Sequence, residues 1–551
     1  MGRNAAFLGA LLGAGLFCAG GAWLDQSPQQ QHLRERLQTR QVPSPLLDSG
    51  MLGSILQRSD LVGQVPNDGQ LYTPTAEEDE SKREALEQLV FRRKSRVGEL
   101  LYDVRSGEES TFPDSSLPSS ERNAGDWSVV SVAVDPERLA SQLEDYLGST
   151  EDRAEVSFYR AGELEHRLRV GLRLHGGYSR LPGRDHSYRL HLRSRYGEES
   201  LPSGLVFDGD LDPVRTLILR RVVNLRFSSS LGYEIFTALG VDSTRTEPAL
   251  LYLNGERLGV VALTEHLSTK QLPSRIGHGE FLVFRRRGSS NKQGEIARDK
   301  LLMWVLDHEH DMSAELASQY VNLDQFSRYM LGMAFCHAED WEQGAAILDL
   351  SDPESTWRWI PWDLDRSFRI EAGETAFDTI LSSITEKRES IPAVLFRALV
   401  ARDASYRASF AKLATECINH RLTTEFLRGR AAYYASLPRQ LGEASKFDHY
   451  SLFFGEQRQA LMTQLTERFQ QGAVLQCRIE AGAGIELLRI DGYEHSLPYD
   501  GLYLAGQTLQ VERISSTHAK AIGWSIDGAI HPAGPLQLVL TQDTVLTPVS
   551  H

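Results

Sequence analysis

Hydrophobic periodicity changes twice along this chain, and those changes limit its fold more than any single motif. From Asp126 to Arg287 apolar residues alternate with polar ones in short runs: Trp127 to Val134, Ala154 to Tyr159, Arg167 to Leu174, Tyr188 to Leu192, Arg215 to Leu219, Ala249 to Leu253, Gly259 to Thr264 and Phe281 to Phe284. A period of two marks half-buried strands. Helical spacing interrupts at Pro136 to Leu147 and Ser228 to Leu239, so the stretch reads as an α+β lobe. Asn254-Gly255 between two apolar runs is a hairpin signal, because both central turn positions favour that pair. From Ala297 to Phe469 the spacing becomes helical, as in Leu323 to Cys336, Ala393 to Ala401, Tyr406 to Cys417 and Phe453 to Phe469. Beyond Cys477 short alternating runs return between Asp491-Gly492, Asp500-Gly501, Ala505-Gly506 and Asp527-Gly528, which predicts a separate β module of about seventy residues.

The region before Asp126 follows other rules. Ala5 to Leu24 is an uncharged apolar stretch behind Arg3, long enough for either a secretion signal or a membrane-spanning anchor. Either reading places the rest of the chain outside the cytoplasm. Gln26 to Asn123 is rich in Gln, Ser, Pro and Asp and reads as a polar spacer, with one solvated helix from Ala76 to Leu101. The expected order is therefore a signal or anchor over 1–24, a spacer over 25–125, a β-rich lobe over 126–300, a helical lobe over 301–475 and a β module over 476–551. A length of 551 residues at 41% apolar content supports a substantial core. The net charge of −15 argues against nucleic acid as a main partner, since phosphate backbones demand a basic surface. Cys336, Cys417 and Cys477 are too few for a disulfide scaffold; they allow one pair and leave one over.

One run carries most of the chemistry: Trp359-Ile360-Pro361-Trp362-Asp363-Leu364-Asp365-Arg366-Ser367-Phe368, with Asp340 upstream. An apolar and aromatic strand ending in Asp-x-Asp can deliver two carboxylates to a hard cation such as Mg²⁺. It can equally be a turn, because Asp often caps strand ends. Ala346 to Leu350 and Trp357 to Trp362 flank Asp352-Pro353, so the two are expected to pair as a hairpin that presents the aspartates.

A β-rich lobe, a helical lobe and acidic residues on a loop and a strand end follow the general plan of a kinase. In order, Leu172-Arg173-Leu174-His175-Gly176-Gly177-Tyr178-Ser179-Arg180, Ser187-Tyr188-Arg189-Leu190, Leu251-Tyr252-Leu253-Asn254-Gly255 with Gly259, Leu263-Thr264-Glu265, Asp340 and Pro361-Trp362-Asp363-Leu364-Asp365-Arg366-Ser367-Phe368 resemble the CotH kinase family, atypical kinases named after a bacterial spore coat protein. Leu395-Phe396-Arg397 and Ser405-Tyr406-Arg407 resemble its helical lobe.

The resemblance implies an atypical two-lobed kinase-like fold. It implies ATP with Mg²⁺ or Mn²⁺, and phosphoryl transfer to a hydroxyl of an exported or cell-envelope protein. By motif, Asp340 resembles the catalytic-loop aspartate, Asp363 and Asp365 the metal pair, and Glu265 a strand-end glutamate that pairs with a basic phosphate-binding residue. Two positions depart from the family. Asp185-His186 stands where many members have Lys-Lys, leaving Arg189 or Arg193 as the cationic phosphate anchor, two residues whose spacing puts them on one face of a strand. Ala345 stands where a kinase loop offers a metal-binding Asn, and Gln343 is the nearby amide. The alternative is a nucleotide- or metal-binding pseudokinase acting as an envelope scaffold, with the terminal β module holding a partner.

Other features carry plainer readings. Gly176-Gly177 reads as a tight turn, His175 as a satisfied core or rim histidine, and Arg285-Arg286-Arg287 and Arg220-Arg221 as basic patches. His308-Glu309-His310-Asp311 does not share one helix face. Trp357, Trp359 and Trp362 are expected to pack the hairpin against the helices.

Overall fold

Seven strands close into a barrel in the order β1-β2-β3-β4-β5-β7-β6. They are β1 (Ser128–Val134), β2 (Asp152–Arg160), β3 (Glu163–His175), β4 (Ser187–His191), β5 (Thr216–Arg221), β6 (Thr246–Leu253) and β7 (Glu256–Glu265). Neighbours are antiparallel except β1 and β6, whose parallel pairing closes the ring. The computed structural model describes residues 115–122, 127–208, 213–222, 227–268, 275, 280–285, 292–368, 390–441, 450–481, 487–514, 522–532 and 534–550. The expected signal or anchor, the helix from Ala76 to Leu101, Arg286 and Arg287 lie outside the described residues. No described helix is long and apolar enough to cross a membrane.

Alternation decides which side chains fill the barrel. Leu168, Val170, Leu172 and Leu174 of β3, Tyr188 and Leu190 of β4, and Leu217 and Leu219 of β5 are buried together inside it. The intervening residues of those strands, Arg173, His175, Arg189 and Arg220 among them, therefore project outward. On the opposite side Val129, Tyr159, Leu250, Tyr252 and Val260 join the main helical core. The helix α1 (Pro136–Glu144) packs Leu139 and Leu143 against the barrel core, and Asp135 caps it by accepting from the amides of Glu137 and Arg138. Its buried Gln142 donates to the carbonyl of Leu172 at 3.1 Å and accepts from the amide of Leu174 at 3.2 Å. Asn254 and Gly255 form the expected turn at φ +50° and +81°, and the Asn254 side chain accepts from the amide of Val134 at 2.8 Å.

The expected hairpin is present and gains a third strand. β9 (Ala345–Asp349) pairs antiparallel with β10 (Arg358–Ile360) on one side and with β8 (Phe281–Arg285) on the other. The alternation that marked Phe281 to Phe284 as a strand held no information about its partner, and β8 joins this sheet rather than the barrel. One face of the sheet, with Leu282, Phe284, Ala346, Leu348, Trp357 and Trp359, packs on the helical core. That core is built by α2 (Ser228–Ala238), α3 (Lys292–Asp307), α4 (Leu323–Phe335), α5 (Ile391–Arg402), α6 (Ala404–Glu416), α7 (Thr424–Gln440) and α8 (Tyr450–Phe469). Buried Gln325 of α4 stands in for a further strand, accepting from the amide of Trp359 at 2.9 Å and donating to its carbonyl.

From Val474 to Ser550 the described residues form a five-stranded and a four-stranded sheet around their own core, including Cys477, Ile479, Leu488, Tyr499, Val511 and Trp524. Asn419 ties them to the helices by exchanging hydrogen bonds with the backbone of Leu502 at 2.8 and 2.9 Å. Cys336, Cys417 and Cys477 are each buried and unpaired; the first two lie in the helical core and the third in the core of the C-terminal sheets. The end of the expected spacer packs on the barrel: Leu117 is buried and its amide donates to the Tyr159 hydroxyl at 3.2 Å.

Glu247 of β6 offers a stability test. Burial first, then Asp208, pushes its carboxyl up to about 7 from an ordinary 4.5. Between those values the folded chain holds a proton that the unfolded chain has released, so stability falls as pH rises across the window. Glu247→Gln, with no charge to desolvate, is expected to raise the thermal midpoint at about pH 8 and leave it nearly unchanged at about pH 5. Equal shifts at both pH values would refute this account.

Candidate functional site

The chain brings two loops together to make the acidic side of the site. After α4 the backbone turns through His337, at φ +46°, to Asp340; after β10 it turns through Asp363, at φ +62°. A left-handed backbone is costly for a residue with a side chain, though Asp tolerates it better than most. The loops are laced by the amide of Glu339 donating to the carbonyl of Arg366 at 3.1 Å and that of Phe368 donating to the carbonyl of Cys336 at 2.8 Å. Arg366 and Glu339 also form an ion pair.

Asp340 opens the 3₁₀ turn Trp341–Gln343 and Asp363 opens the turn Leu364–Arg366, yet neither carboxylate caps its turn. Asp363 instead bonds the guanidinium of Arg220, which also lies 3.6 Å from Asp365. The Asp363 backbone is pinned separately: its amide donates to the Tyr233 hydroxyl at 3.2 Å. Burial pushes that phenol up to about 12, so it stays protonated. Leu364, buried between the two aspartates in sequence, rests on α2 where Gly232 leaves no room for more: a Cβ there would lie 2.7 Å from Leu364 Cδ1.

Electrostatics follow from this crowding. The Asp365 carboxyl is raised above its ordinary value, first by displaced water and then by Asp363 and Asp340, while Arg220 opposes. Its side chain is still 58% exposed, so solvent screens part of this effect. Burial pulls the Arg220 guanidinium down, but Asp363 and Asp365 more than offset it. Arg220 is therefore a permanent cation lying against two carboxylates.

The basic side is the outward face of β3, β4 and β5. Arg189 donates to His175 Nδ1 at 2.8 Å. Burial and then the charges of Arg189 and Arg220 hold His175 well below its ordinary value, so it is neutral and accepts that bond. His266 is lowered likewise by burial, Arg189 and Arg285. The β8–β9–β10 sheet supplies Arg285, whose guanidinium lies over the Trp362 ring at 4.7 Å and donates to the carbonyl of Leu267 at 3.0 Å. Trp362 thus departs from Trp357 and Trp359: it is half-buried beside Arg285 and His266 rather than packed in the helical core.

The remaining sequence candidates separate. Arg189 lies on the arginine face, but β4 ends at His191, and Arg193 beyond it pairs with Glu151 at 3.1 Å. Glu265 is fully buried in an ion cluster, held by two 2.9 Å bonds from Arg245 with Arg275 at 3.4 Å. Asp185 lies 3.6 Å from Arg221. Gln343 precedes β9 at the end of the sheet where Ile360 leads into Trp362 and Asp363. Arg220 and Arg285, read from sequence only as parts of basic patches, are the residues that reading missed. The available signal for Arg220 was its place in the β5 alternation, opposite in phase to Leu217 and Leu219.

Among the described residues no three His, Cys, Asp or Glu side chains form a ready metal cage. The donor chemistry nonetheless suits Mg²⁺, which takes one or two carboxylates and completes its shell with water and substrate phosphates. Asp363 and Asp365, gathered on one guanidinium, meet that requirement, with Asp340 close enough to act on Asp365.

A family model described as CotH kinase protein matches residues 172–471, more than half of the 551-residue chain. Among solved structures, the proinflammatory kinase CtkA of Helicobacter pylori is 10% identical, with a TM-score of 0.25 over 48% of this chain and 93% of that one. The HipA–HipB toxin–antitoxin complex with operator DNA from Shewanella oneidensis MR-1 is 9% identical, with a TM-score of 0.23 over 52% and 64%. Likenesses of that size carry no argument about this site. A search of curated proteins found no match.

The seat of Leu364 on Gly232 gives a direct test. Gly232→Val adds a branched side chain against a buried contact and is expected to cost about 1–3 kcal/mol in urea unfolding. It should also weaken nucleotide binding in a thermal-shift assay, because Asp363 and Asp365 move with Leu364. Stability and binding both at wild-type level would show that the contact does not hold the loop.

Proposed function

The chain belongs to the CotH kinase family, and on that premise we propose that it is an exported phosphotransferase that uses Mg²⁺-ATP, or Mn²⁺-ATP, to phosphorylate hydroxyl groups of cell-envelope or extracellular proteins. The observation that carries this reading is the meeting of three aspartates with an arginine-lined face: Asp340, Asp363 and Asp365 on one side, Arg189, Arg220 and Arg285 on the other. Facing charge of both signs is what a metal–polyphosphate ligand needs. The barrel and the helical region then serve as the two lobes of a kinase-like arrangement.

In this reading Asp363 and Asp365 hold the cation, and Arg189, Arg220 and Arg285 neutralise phosphate oxygens. Guanidinium groups suit that task through their fork of donors. A bound cation would supply neutralisation of the charge that builds on the transferring phosphoryl group. Asp340 orients the acceptor hydroxyl: as its oxygen bonds to the terminal phosphorus and the bond to the bridging oxygen of ADP breaks, Asp340 takes the hydroxyl proton. Gln343 is the amide this reading assigns to support the cation, since Ala345 stands where a kinase loop carries Asn.

The second reading, a nucleotide-binding scaffold without turnover, draws support from Asp185-His186 and Ala345 at positions where kinases carry Lys and Asn. Labelled ATP with an extracellular extract separates the two. Wild-type protein is expected to label a substrate, and Asp340→Ala to lower the rate by roughly a hundredfold or more while retaining nucleotide binding. Asp365→Ala should lose both labelling and the Mg²⁺-dependent nucleotide shift. Binding by wild type with no labelling above Asp340→Ala would favour the scaffold.

A further inference from the structure

The side chain nearest both aspartates is a cation that the protein supplies itself. Arg220 bonds Asp363 and approaches Asp365 to 3.6 Å, in the place where those carboxylates would meet a metal ion. Arg220 and Asp363 are largely withdrawn from water, at 18% and 29% exposure. Arg285, the next guanidinium, is committed to the Leu267 carbonyl and the Trp362 ring.

Building on the phosphotransferase reading, we propose that Arg220 is a displaceable counter-ion, neutralising Asp363 and Asp365 and keeping divalent cations out until nucleotide phosphates draw its guanidinium away. Cation and nucleotide then bind as a unit. Three features support this exchange. The carboxylate side is pinned by the Tyr233 bond and by Leu364 on Gly232, so the arginine side chain is the part free to turn. Arg220 shares the outward face of β5 with Ile218, which pairs in register with Arg189, so a short swing carries its guanidinium toward the arginine face. A guanidinium fork fits a carboxylate and a phosphate equally well, so the exchange loses no bonding geometry.

The consequence is a penalty on metal binding alone. A cation that needs Arg220 displaced binds with an apparent affinity reduced by the fraction of molecules in which it is displaced. By linkage, nucleotide and metal must each strengthen the other.

Mn²⁺, whose free ion is read by electron paramagnetic resonance, tests this on the full chain without turnover. Wild type is expected to bind Mn²⁺ weakly alone and at least about tenfold more tightly with ADP present. Arg220→Gln should bind Mn²⁺ alone at least about tenfold more tightly than wild type, with little further gain from ADP. Arg220→Lys, which keeps the charge on a shorter side chain without the planar guanidinium, should fall between and serves if the Gln variant does not fold. Mn²⁺ affinity in either folded variant no greater than wild type would overturn the counter-ion role. If wild type still binds Mn²⁺ with ADP in that case, the phosphotransferase reading survives; if Mn²⁺ binds under no condition, both fail.

Discussion

The site depends on one junction, where the end of β5 meets the turn after β10. Arg220 reaches from the barrel to Asp363, and Leu364 next to it is buried against Gly232 of α2. These contacts act on the same short turn from two sides and are of different kinds. Burying Leu364 contributes on the order of 2 kcal/mol. Removing one partner of a buried pair such as Arg220–Asp363 costs on the order of 3–5 kcal/mol at full burial, and less here because both remain partly wet. The packing and the Tyr233 bond set where the turn lies, and the ion pair neutralises its carboxylates.

Around that junction charge is sorted by secondary structure. The protein as a whole carries −15, yet the outward face of β3 to β5 is lined with arginine, because alternation turns those residues away from the apolar barrel. Neutral His175 and His266 lie among the arginines without adding charge at neutral pH. Positive charge is thereby concentrated opposite three aspartates in a region where solvent screens it less than on the open surface.

The C-terminal sheets join the helices through apolar and polar contacts together: Leu504 is buried in the helical core, with Val474 and Leu502 packed against it. Besides the Asn419–Leu502 bonds, buried His420 lies 2.8 Å from His495 and 3.3 Å from Asp491, with its ring stacked on Tyr493 at 4.7 Å. Geometry of this kind fixes orientation, since each partner must meet a specific direction.

What the sequence determined by itself was local. Period-two alternation located the barrel strands, helical spacing located α4, α5, α6 and α8, Asn254-Gly255 placed its turn, and the Asp352-Pro353 break placed the β9–β10 hairpin. Order along the chain also sufficed to identify the family. These features are legible because each depends on residues a few positions apart. Tertiary structure alone decided the rest: that β8 leaves the barrel strands to join β9, that Arg193 and Glu265 are engaged elsewhere, that Trp362 parts from Trp357 and Trp359, and that Arg220 meets Asp363 from 143 positions away. No local pattern encodes such a meeting, because the energy that selects it comes from closing a barrel and packing a helix, and it appears only once both are formed.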